Sequence, residues 1–242
     1  PYANSTDVGN VTSYTIPSLT TGTTYYTAVS AYDSDGNESW VSTNTTAVPE
    51  SVPVNLAVAT QPGNGTAGST LSSQPVVAIK DSEGNTVTSA TSSVSISITS
   101  GSGANGASLA GTETVAAVNG IATFTDLRID TVGSEYTLTV SSSGLTAAVS
   151  STFDVSPGPA NLMVLTSEPS NTFVDESFSV QPVLQIRDSY GNVITSSSAA
   201  VTTSITSGTG TNGASLSGST TVNAVNGVAT FSGLSIDTAG TN

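Results

Sequence analysis

Residues 118–124 read Val-Asn-Gly-Ile-Ala-Thr-Phe, and residues 225–231 read Val-Asn-Gly-Val-Ala-Thr-Phe. Both stretches place Asn-Gly between apolar residues. The central positions of a two-residue hairpin turn need positive φ, which Asn and Gly adopt most readily, so each stretch predicts a β-hairpin. The stretches start at residues 118 and 225 and are therefore 107 residues apart, which indicates an internal repeat.

The repeat extends well beyond the hairpin. Residues 74–133 align with residues 181–240 without a gap, and 37 of the 60 aligned positions are identical. Upstream, Asn55-Leu56 matches Asn161-Leu162, which places one extra residue in the second copy. A unit of roughly 105 residues suits one β-sandwich domain, whereas the repeats of solenoids run to about 20–50 residues.

The hydrophobic pattern within each copy is that of strands. Val94, Ile96 and Ile98 alternate with serines, and Tyr136, Leu138 and Val140 alternate with threonines, so each run has one apolar and one hydroxyl face. No stretch has a sustained helical period, and we expect almost no helix. The residues predicted as core anchors are Phe124, Leu127, Ile129, Phe231, Leu234 and Ile236.

The composition excludes several chemistries. The 242 residues include 17 acidic and three basic ones, no His and no Cys, and the net charge is −14. Without His and Cys there is no Ser-His-Asp triad, no thiol nucleophile and no zinc site of the usual ligands. Three basic residues cannot follow a phosphate backbone, so nucleic acid is excluded as a partner. No apolar run approaches ~18 residues, so we expect no membrane insertion of this segment.

Acidic side chains are the remaining candidates for a site. Residues 33–38 have the pattern Asp-x-Asp-Gly-Asn-Glu, which resembles part of a calcium loop, but they lie between two predicted strands. The sequence Asp-Ser-x-Gly-Asn occurs at residues 81–85 and 188–192. We interpret all three as loops capped by local side-chain bonds, with Gly in the left-handed region. Three carboxylates lie near the predicted joints, namely Glu50, Asp154 and Glu168. Calcium binding between domains therefore stays open as an alternative.

Paired carboxylates can hydrolyse glycosides without His or Cys, and Asp126 and Asp130 are the nearest such pair. The second copy has Gly233 in place of Asp126, so we predict surface positions and no catalytic residues. Lys80 and Arg187 occupy one repeat position and are predicted to form weak ion pairs. We predict no metal site and no cofactor.

Residues 1–48 differ from the repeats and resemble the C-terminal half of a fibronectin type III domain. Leu19 and Tyr25 are spaced as in the tyrosine corner of that family, in which the Tyr hydroxyl bonds to upstream backbone. On this resemblance Tyr32 and Trp40 cover the core of the segment, and the alternative is a pair that stacks on a sugar. The N-terminal domain is therefore expected to be incomplete.

The order of motifs in the repeats resembles the bacterial immunoglobulin-like domains that occur in tandem in invasin- and intimin-type adhesins. The motifs that carry the resemblance lie at residues 81–85, 106–109, 119–124 and 133–140, and the second copy repeats all but the last. The resemblance implies tandem immunoglobulin-like β-sandwiches, the first and last of them truncated. The expected division is a fibronectin-like segment 1–48, a linker 49–53, a complete domain 54–157 and a C-terminally truncated domain 158–242.

The function that this resemblance implies is structural. We expect non-catalytic spacer or stalk modules, monomeric within a long secreted or cell-surface bacterial protein, whose ligand is an unknown protein or glycan. Two alternatives stay open at this point: accessory domains of a secreted polysaccharide-degrading enzyme, and a calcium-dependent carbohydrate- or receptor-binding module.

Overall fold

The computed structural model describes residues 4–240, which form strands and no helix. The prediction of an all-β fold is thereby confirmed, while the outermost predicted boundaries, at residues 1 and 242, lie outside the described residues. In chain order the strands are β1 Tyr25–Thr27, β2 Thr45–Ala47, β3 Asn55–Thr60, β4 Gly65–Thr66, β5 Val76–Lys80, β6 Ser93–Ile98, β7 Leu109–Ala110, β8 Thr114–Ala116, β9 Ile121–Thr123, β10 Arg128–Ile129, β11 Gly133–Tyr136, β12 Leu138–Ser141, β13 Ala148–Val149, β14 Phe153–Ser156, β15 Leu162–Ser167, β16 Val183–Arg187, β17 Ala200–Thr202, β18 Leu216–Ser217, β19 Thr221–Asn223, β20 Val228–Thr230 and β21 Ser235–Ile236.

Strands β3 to β14, which lie within residues 54–157 (hereafter the first repeat), form a β-sandwich around one core. One sheet has the order β3-β5-β9 and another the order β13-β12-β6-β8, and two small sheets, β11-β14-β4 and β10-β7, complete the domain. Inward residues of both larger sheets belong to one buried cluster, which includes Ile79, Val94, Phe124 and Leu138. The alternating pattern of the sequence is therefore the pattern of burial, as expected for strands with one covered face.

The outward faces are held by hydroxyl groups. Ser95 and Thr114 lie opposite each other on β6 and β8, and their hydroxyl oxygens are 2.9 Å apart. The equivalent residues of the second copy, Thr202 and Thr221, repeat this pair at 2.9 Å. Cross-strand hydroxyl pairs of this kind stabilise a sheet modestly, which explains why a chain so rich in Ser and Thr still forms strands.

The chain enters and leaves the first repeat at opposite ends. Residues 55–66 run antiparallel to the following chain up to Lys80, because β3 pairs with β5 and the Gly63 amide donates to the Ser73 carbonyl. Strand β14 runs parallel to β4, so the chain leaves the domain beside the turn that follows Thr66. The loop after β5 lies at the other end, where β3 begins.

The predicted turns have the predicted backbone. Asn119 and Gly120 have φ of 51° and 75°, and Asn226 and Gly227 repeat these values. Two consecutive positive φ angles define the hairpin turn that matches strand twist.

The run Tyr136 to Val140 differs from the expectation of a single strand. Tyr136 ends β11, which pairs with β14, whereas Leu138 begins β12, which pairs with β6 in a different sheet. All three apolar residues of the run are fully buried. The chain changes sheets at Thr137, which lets both parts of the run face the same core.

The prediction of one extra residue in the second copy is wrong. Asn55 pairs with Lys80, and Leu162 pairs with Arg187, so Asn55 is equivalent to Leu162 and the offset is 107 from the first strand onward. Both strand pairs also have their register shift at the same place. The Asn-Leu match suggested a gap because two identical residues do not show which backbone groups are paired.

Residues 158–240, the described part of the second repeat, have the same first strands but a smaller buried cluster. Two open clefts of about 220 and 290 Å³ lie beside it. In the first repeat β12 and β13 contact β3, and in the described part of the second repeat no equivalent strand contacts β15. Leu56 is therefore buried at 3% exposure, while its equivalent Met163 is 65% exposed.

The N-terminal segment is thinly packed. Its strands β1 and β2 form an isolated pair, and no residue of 4–48 is buried. The predicted hydrogen bond of Tyr25 is present, since the Thr20 amide donates to its hydroxyl at 2.9 Å. The expectation that Trp40 and Tyr32 cover a core is wrong: they are 97% and 64% exposed, because the described segment offers only a two-stranded sheet.

Candidate functional site

The most developed polar site in residues 4–240 lies at the joint between the two repeats. It is built on the sequence Asp-Ser-Tyr-Gly-Asn at residues 188–192, hereafter the second turn. The equivalent residues 81–85 of the first repeat are the first turn. Gly84 and Gly191 have φ of 86° and 87°, so the glycine closes both turns in the left-handed region as predicted.

Asp188 is the centre of the joint and is completely buried. Its Oδ1 accepts hydrogen bonds from the backbone amides of Tyr190 and Asn192, both at 2.9 Å. Its Oδ2 accepts from the Asn192 side chain and from the backbone amide of Gly158, also at 2.9 Å each. One carboxylate thus shapes its own turn and fixes the linker between the repeats.

Burial raises the pKa of the Asp188 carboxyl, but the hydrogen bonds from Asn192, Gly158 and Tyr190 outweigh burial, so its pKa lies below its ordinary value. The carboxylate is therefore the charged acceptor at neutral pH. Hydrogen bonds to an ionised acceptor are stronger than those between neutral groups.

The second turn also contacts the first repeat directly. Asn192 Nδ2 donates to the carbonyl of Asp130 at 2.8 Å, and the amide of Val132 donates to Asn192 Oδ1 at 3.1 Å. The Tyr190 ring lies against Gly68, in the turn after β4. These contacts join the C-terminal end of the first repeat to the second turn.

The first turn makes a related but weaker joint. Asp81 accepts from the amides of Glu83 and Asn85 at 3.0 and 2.8 Å, and from the hydroxyl of Ser51 at 3.1 Å. Ser51 precedes Asp81 by the same 30 residues that separate Gly158 from Asp188. The aspartate of each turn therefore holds the linker that leads into its own repeat.

The predicted glycosidase candidates have structural roles. Asp126 accepts from the Thr112 amide at 2.8 Å and from its hydroxyl at 2.9 Å. Asp130 accepts from the Gly68 amide at 3.1 Å and is 3.9 Å from the Arg128 guanidinium. The two carboxylates fasten two different loops of the first repeat.

The ion pairs predicted for Lys80 and Arg187 are wrong. Lys80 Nζ donates to the Thr86 hydroxyl at 3.0 Å, and Arg187 Nε donates to Gln185 Oε1 at 3.0 Å. Lys80 reaches across the first turn to Thr86, which lies opposite it, and Arg187 reaches along its own strand to Gln185. Both cations meet neutral oxygens, because the neighbouring Asp of each turn is occupied by backbone amides.

The acidic loop of the N-terminal segment is a capped turn. Asp33 Oδ1 accepts from the amides of Asp35 and Asn37 at 2.9 Å each. Near the joints, Asp154 accepts from the Glu135 amide at 2.9 Å. Among residues 4–240, no three His, Cys, Asp or Glu side chains are grouped so that they could hold a metal ion. That part of the chain also contains no helix that is long and apolar enough to span a membrane.

A glutamine missed by sequence reasoning fastens each repeat. Gln74 Nε2 donates to the Leu127 carbonyl at 2.9 Å, and the Leu127 amide donates to Gln74 Oε1 at 3.0 Å. Gln181 and Leu234 repeat both bonds at 3.3 and 3.1 Å. The identity of Gln74 and Gln181 between the copies was the available signal, but it does not say which backbone a side chain meets.

Comparisons with known proteins give structural neighbours only. No protein family matches the sequence, and no curated protein is similar to it. An Escherichia coli adhesin, FdeC, is 21% identical with a TM-score of 0.38, over 81% of this chain and 60% of that one. Domains 4–9 of the surface layer protein SbsC are 18% identical with a TM-score of 0.34, over 94% of this chain and 39% of that one. The chain thus spans less than two thirds of either neighbour.

Proposed function

We propose that this chain is a run of non-catalytic structural modules that act as a spacer or stalk in a large secreted or cell-surface bacterial protein. In this role the modules hold a part that binds a protein or glycan ligand away from its anchor, and they carry no enzymatic activity and no cofactor of their own. The observation that carries the proposal is the joint, where Asp188 of the second repeat holds the Gly158 amide after the chain has traversed the first repeat from end to end.

Stiffness, more than length, favours this proposal. The run of residues 55–66 spans at most about 40 Å at ~3.3 Å per residue, so two such repeats reach at most about 80 Å. A flexible Gly/Ser chain as long as residues 54–240 has a root-mean-square length of about 75 Å. The reach is similar, but a coil can shorten, whereas domains with bonded joints keep their separation.

The carboxylates of the repeats also favour a structural role. Asp81, Asp126, Asp130 and Asp188 each accept at least one backbone amide. A general acid or nucleophile has to present its carboxyl to a substrate in a cleft. These four instead satisfy backbone donors at turns, where charged acceptors stabilise the fold.

A display experiment tests the stalk. The chain is placed between a surface anchor and a small binding domain on bacterial cells, and capture of ligand-coated beads is compared with that of cells carrying a Gly/Ser linker of equal length. We expect more bead capture with the chain at equal surface expression. Capture no better than with the flexible linker would refute the proposal.

A second experiment addresses the chain's own binding and chemistry. The 242-residue protein is applied to a glycan array with calcium and with chelator, and it is assayed for release of reducing sugar from polysaccharides. A spacer gives neither binding nor release. Calcium-dependent glycan binding would favour a carbohydrate-binding module instead, and release of sugar would show an enzyme.

A further inference from the structure

We propose that a matched pair of residues, Gly68 and Tyr190, fixes which repeat can precede the second turn and makes this joint a coupling of defined angle. The inference rests on the proposed spacer function and adds to it which repeats can be neighbours in the stalk. The Tyr190 ring can keep its place at the joint only if the preceding repeat has no side chain at position 68.

The backbone alone does not require glycine at position 68. Gly68 has φ of +82°, but the equivalent residue of the second repeat is Asp175, which has φ of +61° and carries a side chain. The requirement comes from the neighbour. A Cβ on Gly68 would lie 2.3 Å from Cε2 of Tyr190 and 2.7 Å from its hydroxyl oxygen, so the Tyr190 ring would have to leave its place on this turn.

The opposite side of the joint is equally specific. The first turn has Glu83 where the second has Tyr190, and Glu83 is exposed. Tyr190 is half-exposed because part of its ring is covered by the turn that contains Gly68. A flat ring on a bare backbone buries apolar surface at little cost in side-chain entropy, since a Tyr side chain has few rotatable bonds.

Asn192 adds two hydrogen bonds between the repeats, and these bonds restrict the angle at which the repeats meet. It bonds to the Asp130 carbonyl and the Val132 amide at two adjacent points of one strand end. Asn85, its equivalent in the first turn, directs its side-chain amide to Asp81 and Glu83 of its own turn, at 3.4 Å each. Of these two asparagines, only the one in the turn with Tyr190 bonds to the neighbouring repeat.

Asp130 prepares the surface that the second turn meets. Its carboxylate accepts the Gly68 amide at 3.1 Å, which holds the glycine under the ring. Its equivalent, Asp237, instead accepts the Ser215 amide and the Thr238 hydroxyl at 2.8 and 2.9 Å. In the second repeat the surface equivalent to the joint has a side chain, Asp175, at the position of Gly68, and Asp237 bonds elsewhere. This surface is therefore not complementary to a turn with Tyr.

The test is a distance distribution across the joint. The chain has no Cys, so Ser143→Cys and Ser198→Cys give two unique spin-label positions, both exposed, one in each repeat. Pulsed electron spin resonance of the full chain should give one narrow distribution. Gly68→Asp places the second repeat's own residue under the ring and should at least double the width, and Tyr190→Glu should also broaden it.

The control substitution is Gly84→Asp. Gly84 has φ of +86°, close to that of Gly68, but no atom lies within 4 Å of its Cβ position. It carries the same backbone strain without the neighbour, so the distribution should stay as narrow as that of the parent. Equal broadening in Gly84→Asp and Gly68→Asp would assign the effect to strain and overturn the inference.

A double substitution separates contact from misfolding. If the ring is what excludes a side chain at position 68, adding Gly68→Asp to Tyr190→Ser should cause no broadening beyond that of Tyr190→Ser alone. Further broadening, or a parent distribution already as wide as that of the variants, would overturn the proposal. Glycan binding or sugar release would instead refute the spacer function and leave the measured width unaffected.

Discussion

Replacing Asp188 with alanine should open the joint without unfolding either repeat. The substitution removes an acceptor from three backbone amides and one side-chain amide, and it leaves the Gly158 amide without its partner. A hydrogen bond to a charged group contributes about 1.5–3 kcal/mol, and the four are not additive because they share one carboxylate. We expect a loss of about 3 kcal/mol, which at 1.36 kcal/mol per tenfold is roughly a hundredfold in local opening.

Amide hydrogen exchange measures that opening residue by residue. The amides of Gly158, Tyr190 and Asn192 should exchange roughly a hundredfold faster in Asp188→Ala, while those of the first repeat's core strands are unchanged. Asp81→Ala is the matched control, because Asp81 occupies the equivalent position in the first turn. Its linker contact is with the Ser51 hydroxyl, which can bond to water when the carboxylate is removed. Asp81→Ala should leave Gly158 unaffected. Unchanged exchange at Gly158 in Asp188→Ala would refute the reasoning.

Three further predictions concern acid, one side chain and proteolysis. Because the folded-state pKa of Asp188 is lowered, its stabilisation is complete above the ordinary pKa of about 3.9 and is lost as pH falls through the folded value. The melting temperature should therefore fall more in acid for the parent than for Asp188→Asn, and equal falls would contradict the assignment. Gln74→Ala leaves the buried Leu127 amide unpaired and removes the donor to the Leu127 carbonyl, so it should cost about 1–3 kcal/mol in urea unfolding of the first repeat; unfolding at the urea midpoint of the parent would count against these bonds. Limited proteolysis should remove residues 1–48, where no described residue is buried, before it cuts 54–157, and equal rates would contradict the packing described above.

Local conformation was predicted well because it depends on neighbours in the chain. Asn119-Gly120 has the two positive φ angles that the dipeptide favours, and both turn glycines lie in the left-handed region. The core anchors Phe124, Leu127 and Ile129 are buried at 0–1% exposure because alternation along a strand decides which side chains face inward.

Predictions that needed a partner elsewhere in the chain were the ones that failed. Trp40 was expected to cover a core, Lys80 and Arg187 to form ion pairs, and a gap to separate the first strands of the two copies. Each of these depends on which surface or which backbone group comes opposite, and residue type alone does not contain that information.

The candidate site shows the same division. The two Asp-x-x-Gly-Asn turns are nearly identical in sequence, and their loop conformation was predicted from Asp, Gly and Asn alone. Their different use was not, because Tyr190 meets a glycine 122 positions earlier in the chain (190 minus 68), in a domain that the turn joins only after folding.

The sequence is enough to predict an all-β chain, strands with one apolar and one hydroxyl face, and a repeat offset by 107 residues. These follow from periodicity and turn chemistry, which act over a few bonds. The folded structure was needed to show that Asp188 is buried and holds the linker, that Asp130 supports the joint, and that the Tyr190 ring lies on Gly68. Burial and contact depend on which surfaces meet after folding. At this joint the absent Cβ of Gly68 leaves room for the Tyr190 ring, and the Asp188 carboxylate holds the linker.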